Sequence, residues 1–118
     1  MSSLTVATYN VYLGADLSLL FGATSLTELA ARADLVRGQL QSTDFAQRAA
    51  AIARILARED VDVVGLQEIT RWESAAVAPD GSVGTPELLA DFLPLVVQAC
   101  DDAGAPYDAH AVLSLIHI

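Results

Sequence analysis

Residues 62–69 read DVVGLQEI, and the uninterrupted apolar centre Val63-Val64-Gly65-Leu66 is the feature that most narrows the fold. A strand wetted on one face alternates apolar and polar residues, whereas a run without alternation suits a strand covered on both faces, as in parallel sheets. A second β-rich run, LTVATYNVY at residues 4–12, stops at Leu13-Gly14-Ala15-Asp16. Between the two runs lie two stretches of helical periodicity. Ser25-Leu26-Thr27-Glu28 has capping-box spacing, and Leu26, Leu29, Ala33, Val36 and Leu40 then recur every three or four residues to near Gln41. Asp44 and Gln47 open a second helix that carries Phe45, Ala49, Ile52 and Leu56 inward and leaves Arg48, Arg54, Arg58 and Glu59 for the wet side. Strand, helical crossover and strand make a β-α-β connection, whose strands run parallel.

Downstream, residues 70–84 contain Pro79-Asp80-Gly81 and Gly84 and read as a loop. Thr85-Pro86 reads as an N-cap with proline at the first helical position, followed by a helix with Leu89, Phe92, Val96 and Cys100 inward as far as Gly104-Ala105-Pro106. Pro94 inside that helix predicts a kink or break. Tyr107 to Val112 reads as a short third strand. The class expected is α/β, with one partial mixed sheet and helices on one face.

Composition closes off several function classes. With 53% hydrophobic and 18% charged residues and a mean hydropathy of +0.44, the chain is too apolar for disorder. No run approaches the ~20 apolar residues of a membrane-spanning helix. Cys100 is the single cysteine, which excludes an internal disulfide and a cysteine-based zinc site, and it reads as an inert core thiol. The formal net charge is -9, with all six positive residues arginines, so a broad basic face for nucleic-acid phosphates is not available. No basic, apolar leader opens the chain, which sets a cytoplasmic expectation and leaves a secreted parent open.

Two residues carry the chemistry. Asn10 stands near the C-terminal end of the first strand and Glu68 at the C-terminal end of the second. In parallel neighbours both project at the same sheet edge, where open α/β arrangements place their ligand crevices. A carboxylate beside an amide oxygen suits a hard cation such as Mg²⁺, which keeps several waters and takes further contacts from substrate phosphate. Phosphoester hydrolysis is the chemistry such a site supports.

The segments TYNVYLGADLS, DFAQRAAAIARILARE and DVDVVGLQEI together resemble the front part of the endonuclease/exonuclease/phosphatase superfamily, which includes pancreatic deoxyribonuclease, abasic-site endonucleases, inositol-polyphosphate phosphatases and neutral sphingomyelinases. The likeness covers residues 4–69 well and 85–112 loosely. It implies the family's α+β four-layer sandwich, with Glu68 as a ligand of Mg²⁺ (Mn²⁺ as a substitute) and Asn10 beside the metal, sharing it or orienting phosphate or water. The implied partner is a phosphoester, whether nucleic acid, inositol phosphate or lipid head group. The family's later motifs, an Asp-x-Asn pair and a terminal Asp-His pair, have no counterpart in these 118 residues. Residues 1–112 are therefore expected to be the N-terminal portion of one such domain, inactive alone, with 113–118 a non-native tail. Its uncovered sheet is expected to expose apolar surface and to favour self-association.

Other residues have plainer readings. Asp16 is either a further site residue or a turn or helix cap. Gln67 holds the neighbouring loop through backbone hydrogen bonds, His110 is a structural histidine in an apolar strand, and Tyr9 and Tyr12 are sheet residues. Trp72 either packs or lines the site mouth. A different class of function remains: a non-catalytic α/β partner-binding module in which Asn10 and Glu68 are structural.

Overall fold

The computed structural model describes residues 2–110 and 112–113. Strand β1 (Val6–Asn10) leads through a short 3-10 turn (Leu17–Leu20) into helices α1 (Leu26–Ser42) and α2 (Phe45–Arg58), then strand β2 (Val63–Gln67). Strands β3 (Arg71–Ser74) and β4 (Glu87–Asp91) precede helix α3 (Phe92–Asp102). The α/β class stands, but among the described residues the strands are divided between two two-stranded sheets rather than joined in one partial mixed sheet: β1 pairs β2 parallel and β3 pairs β4 antiparallel.

The β-α-β unit forms because each helix has a defined start. Ser25 accepts the Glu28 N–H at 3.1 Å, and the Glu28 carboxylate turns back to the Thr24 N–H and hydroxyl, so the box closes one residue earlier than its spacing suggests. Asp44, held at φ 37°, caps α2 by accepting from the Gln47 N–H. β2 then returns beside β1 in a register that runs from Val6↔Val63 to Asn10↔Gln67. That register places Asn10 level with Gln67, one residue before Glu68.

One face of this sheet is covered. Tyr9, Val64 and Leu66 pack against a core built from Val11, Leu40, five α2 residues (Phe45, Ala49, Ile52, Ala53, Leu56) and Phe92, Val96 and Cys100 of α3. The Phe45 and Phe92 rings stack with centroids 3.7 Å apart and planes 4° from parallel. The opposite face presents Val6, Thr8 and Asn10 beside Val63, Gly65 and Gln67, all exposed. It is less apolar than the VVGL run suggests. Val64 and Leu66 point to the core, so Val63 is the one large apolar residue that β2 shows to solvent.

Several expectations are corrected between residues 70 and 113. Arg71–Ser74, expected within a loop, is β3, and Glu87–Asp91, expected to be helical after Thr85-Pro86, is β4. Pro79-Asp80-Gly81 is the turn region of this hairpin: Gly81 takes φ 85°, and Asp80 accepts the Ser82 N–H at 2.9 Å. Arg71 bridges Glu73 two residues along β3 and Asp91 across the pair, at 2.9 Å each. Tertiary pairing thus outweighs the local N-cap signal. Because α3 starts at Phe92, Pro94 falls in its first turn, where the missing N–H would have no intrahelical acceptor, and no kink is required. Finally, no strand forms at Tyr107–His110 or at Val112–Leu113, and Ala111 lies outside the described residues. Tyr107 is held by its side chain instead, its hydroxyl donating to the Val61 carbonyl. His110 is exposed rather than packed in an apolar strand. The expected tail lies outside the described residues from Ser114 onward.

Candidate functional site

The parallel register brings Asn10 and Glu68 together at the C-terminal edge of the β1–β2 sheet. The Asn10 amide donates through Nδ2 to Glu68 Oε1 at 3.1 Å, and Asn10 Oδ1 accepts the Tyr12 N–H at 2.9 Å. The second carboxylate oxygen, Oε2, accepts the Leu13 N–H at 3.0 Å. Both side chains are therefore oriented by the turn that follows β1. That turn and its partner segment need uncommon backbone: Tyr12 has φ 62° and Glu68 φ 58°, both in the left-handed region that side chains other than glycine seldom occupy. Tyr12 is accordingly exposed and beyond the strand, not a sheet residue as its alternation with Asn10 suggests. Thr70 steadies the Glu68 backbone by donating its hydroxyl to the Glu68 carbonyl at 2.9 Å.

The turn is anchored from several sides. Trp72 Nε1 donates to the Leu13 carbonyl at 2.8 Å, so the ring both packs at the core margin and pins the turn. Thr43 donates its hydroxyl to the Gly14 carbonyl at 2.8 Å, and the Asp16 N–H donates to Gln39 Oε1 at 2.8 Å. Gly14 itself stands at φ 99°, and a Cβ there would meet Leu40 Cδ1 at 3.0 Å, so only glycine passes this point without a shift.

Arg48, assigned to the wet side of α2 by periodicity, is turned inward. Its Nη1 donates to the Val11 and Tyr12 carbonyls and its Nε to the Thr43 carbonyl at 2.9 Å. The guanidinium carbon lies 4.8 Å from the Phe45 ring centroid and 5.4 Å from that of Tyr12. Desolvation pulls the pKa of this arginine below the usual guanidinium value, and Nη2 is buried without a hydrogen-bond partner among the described residues. A charge pattern on a helix wheel carries no sign of this, because the acceptors are main-chain carbonyls, two from the turn after β1 and one from the α1–α2 junction.

The remaining candidates resolve into structural roles. Asp16 caps the 3-10 turn, accepting the Ser18 hydroxyl at 2.6 Å and N–H at 3.0 Å, which hold its carboxyl below the ordinary range. Gln67 Nε2 donates to Thr8 Oγ1 at 2.9 Å and to the Gly65 carbonyl at 3.1 Å, so its side chain stays on the open sheet face; its main-chain carbonyl accepts the Val11 N–H at 3.0 Å. Cys100 is buried, and burial pushes its thiol up, which suits an inert core residue.

Among the described residues no group of three or more His, Cys, Asp or Glu side chains gathers as a ready metal cage. Glu68 is exposed and each of its oxygens accepts one hydrogen bond, which leaves lone pairs for a cation. One carboxylate fits Mg²⁺, which is commonly held by one or two carboxylates with water and substrate phosphate completing the shell. The Asn10 amide keeps a second N–H that Glu68 does not use.

Comparison with known proteins adds one positive finding. A family model described as "Endonuclease/Exonuclease/phosphatase family" matches residues 7–114. No curated protein and no solved structure matches the chain.

Proposed function

The chain belongs to the endonuclease/exonuclease/phosphatase family, whose members are generally metal-dependent phosphoesterases and nucleases, and on that footing we propose that it supplies the first two site positions of a phosphoester hydrolase. The observation that carries this reading is the Asn10–Glu68 pair, 3.1 Å apart at the C-terminal sheet edge. Glu68 holds the divalent cation, Mg²⁺ or in its place Mn²⁺. When bound, that ion neutralises phosphate charge and stabilises the leaving oxygen. Asn10 stands beside it, its amide oriented by Glu68 and the Tyr12 N–H, and its free N–H is available to a phosphate oxygen. The substrate is a phosphoester, and the net charge of -9 favours a small or lipid phosphoester over a long nucleic acid.

These 118 residues hold neither the Asp-x-Asn nor the Asp-His pair. A positioned acid-base group contributes typically 10²-fold to 10⁴-fold, so no turnover of a chromogenic phosphodiester above background is expected from this chain with Mg²⁺. Turnover abolished by Glu68→Ala would overturn that expectation. The cation assignment is tested by titrating Mn²⁺ into ¹⁵N-labelled protein. Broadening centred on Glu68 and Asn10, saturating in the millimolar range or weaker and lost in Glu68→Ala, supports the reading. Broadening that Glu68→Ala leaves in place removes Glu68 from the site.

A second reading has one observation behind it: both Glu68 oxygens already accept bonds from β1 and its turn, as in a purely structural clasp of a non-catalytic module. Absence of any Mn²⁺ broadening at Glu68 would favour it.

A further inference from the structure

We propose that Arg48 is a positioning residue for the Asn10–Glu68 pair, acting through the main chain of Val11 and Tyr12. The inference rests on reading that pair as the cation- and phosphate-facing site. Asn10 and Glu68 take their orientation from two N–H groups, those of Tyr12 and Leu13. The peptide units that carry these N–H groups have the Val11 and Tyr12 carbonyls as their other ends, and both carbonyls accept from Arg48 Nη1. Fixing the two carbonyls therefore fixes the two N–H directions, in a segment where Tyr12 is held at φ 62°. The third bond, from Nε to the Thr43 carbonyl, ties the same guanidinium to the α1–α2 junction.

Packing alone does not account for an arginine here. The Phe45 and Tyr12 rings would accept an apolar chain of similar length, without the desolvated guanidinium and without the unpartnered Nη2. What a guanidinium adds is a rigid fork able to serve several carbonyls at once. Groups that orient the residues around a metal are worth typically ~10- to 100-fold in metal affinity when removed.

The test compares Arg48→Met, which retains the stem, with Arg48→Lys and wild type, by amide exchange and by Mn²⁺ broadening at Glu68. In Arg48→Met the Tyr12 and Leu13 amides are expected to exchange about tenfold faster relative to Leu56, and Mn²⁺ affinity to fall about tenfold. Arg48→Lys, a single charged donor group, is expected to recover part of both. Unchanged Tyr12 and Leu13 protection in Arg48→Met would overturn the proposal, as would amide exchange and Mn²⁺ affinity in Arg48→Met equal to those in Arg48→Lys. Should Arg48→Met not fold, wild type decides: Tyr12 and Leu13 amides exchanging as fast as that of the exposed Thr27 would overturn it. Absence of Mn²⁺ broadening in wild type would instead sink the cation reading, and amide protection would still report whether Arg48 holds the turn.

Discussion

Helices α1 and α2 are neighbours in sequence, share a three-to-four apolar period and start at good caps, yet only one is a core helix. α2 buries Phe45, Ala49, Ile52, Ala53 and Leu56, whereas α1 buries Val36 and Leu40 near its end. Leu26 and Leu29 are 48% and 37% exposed, and Ala33 is exposed as well. The difference lies in what stands opposite. α2 faces α3 and the covered side of the β1–β2 sheet, while the first half of α1 meets little beyond the 3-10 turn. An apolar stripe states that a helix has a face to bury; it does not supply the partner.

Four measurements bear on the difference between the two helices. The largest effect is expected at the α2–α3 contact: Phe92→Ala removes a fully buried ring stacked on Phe45 and is expected to lower unfolding free energy by about 3–5 kcal/mol in urea. A loss under about 1 kcal/mol would mean that α2 is no better anchored than α1. Next comes Ser25→Ala, expected to cost about 1 kcal/mol and to speed amide exchange in the first turn of α1 alone, because that end relies on its cap. Equal acceleration throughout α2 would show the two helices to be one cooperative unit. Leu29→Ala should stay within about 0.5 kcal/mol of wild type, and a larger loss would show that the exposed stripe is covered in solution.

The smallest effect is one of pH. The Thr24 N–H, then its hydroxyl, then Arg32 hold the Glu28 carboxyl below its ordinary value. A carboxyl depressed in the folded state contributes stability that is present above its unfolded pKa and is lost as pH falls through the folded one. Acidification below about pH 4 is therefore expected to fray the first turn of α1 while the α2 amides stay protected. Fraying that sets in as pH rises instead would contradict the assignment.

The candidate site was partly legible before the fold. Asn10 and Glu68 stand at the ends of two β-rich runs with helices between, and a parallel pairing of such runs places both ends at one edge. The turn that orients them was not legible, since Tyr12 in left-handed backbone breaks the alternation that a strand reading extends through it. Arg48 was hidden for a related reason: its partners are carbonyls, which sequence does not mark. The β3–β4 hairpin did leave a signal. Pro79-Asp80-Gly81 between two short runs is turn chemistry, but Thr85-Pro86 offered a competing local reading as a helix start.

Neighbours along the chain were enough to mark the caps at Ser25 and Asp44, the apolar stripe of α2 and the Phe92, Val96 and Cys100 stripe of α3, and the two strands of the β-α-β unit, though not the inward turn of Arg48. Tertiary structure decided what depends on groups far apart in sequence. It set the burial of α1, the division into two sheets, the strand at Glu87–Asp91 and the clasp of Glu68 by Asn10 and Leu13 across more than fifty residues. The physical reason is that caps and periodicity are satisfied within a turn or two of backbone, whereas burial, ladder pairing and the satisfaction of main-chain carbonyls require a second surface that only the folded chain supplies.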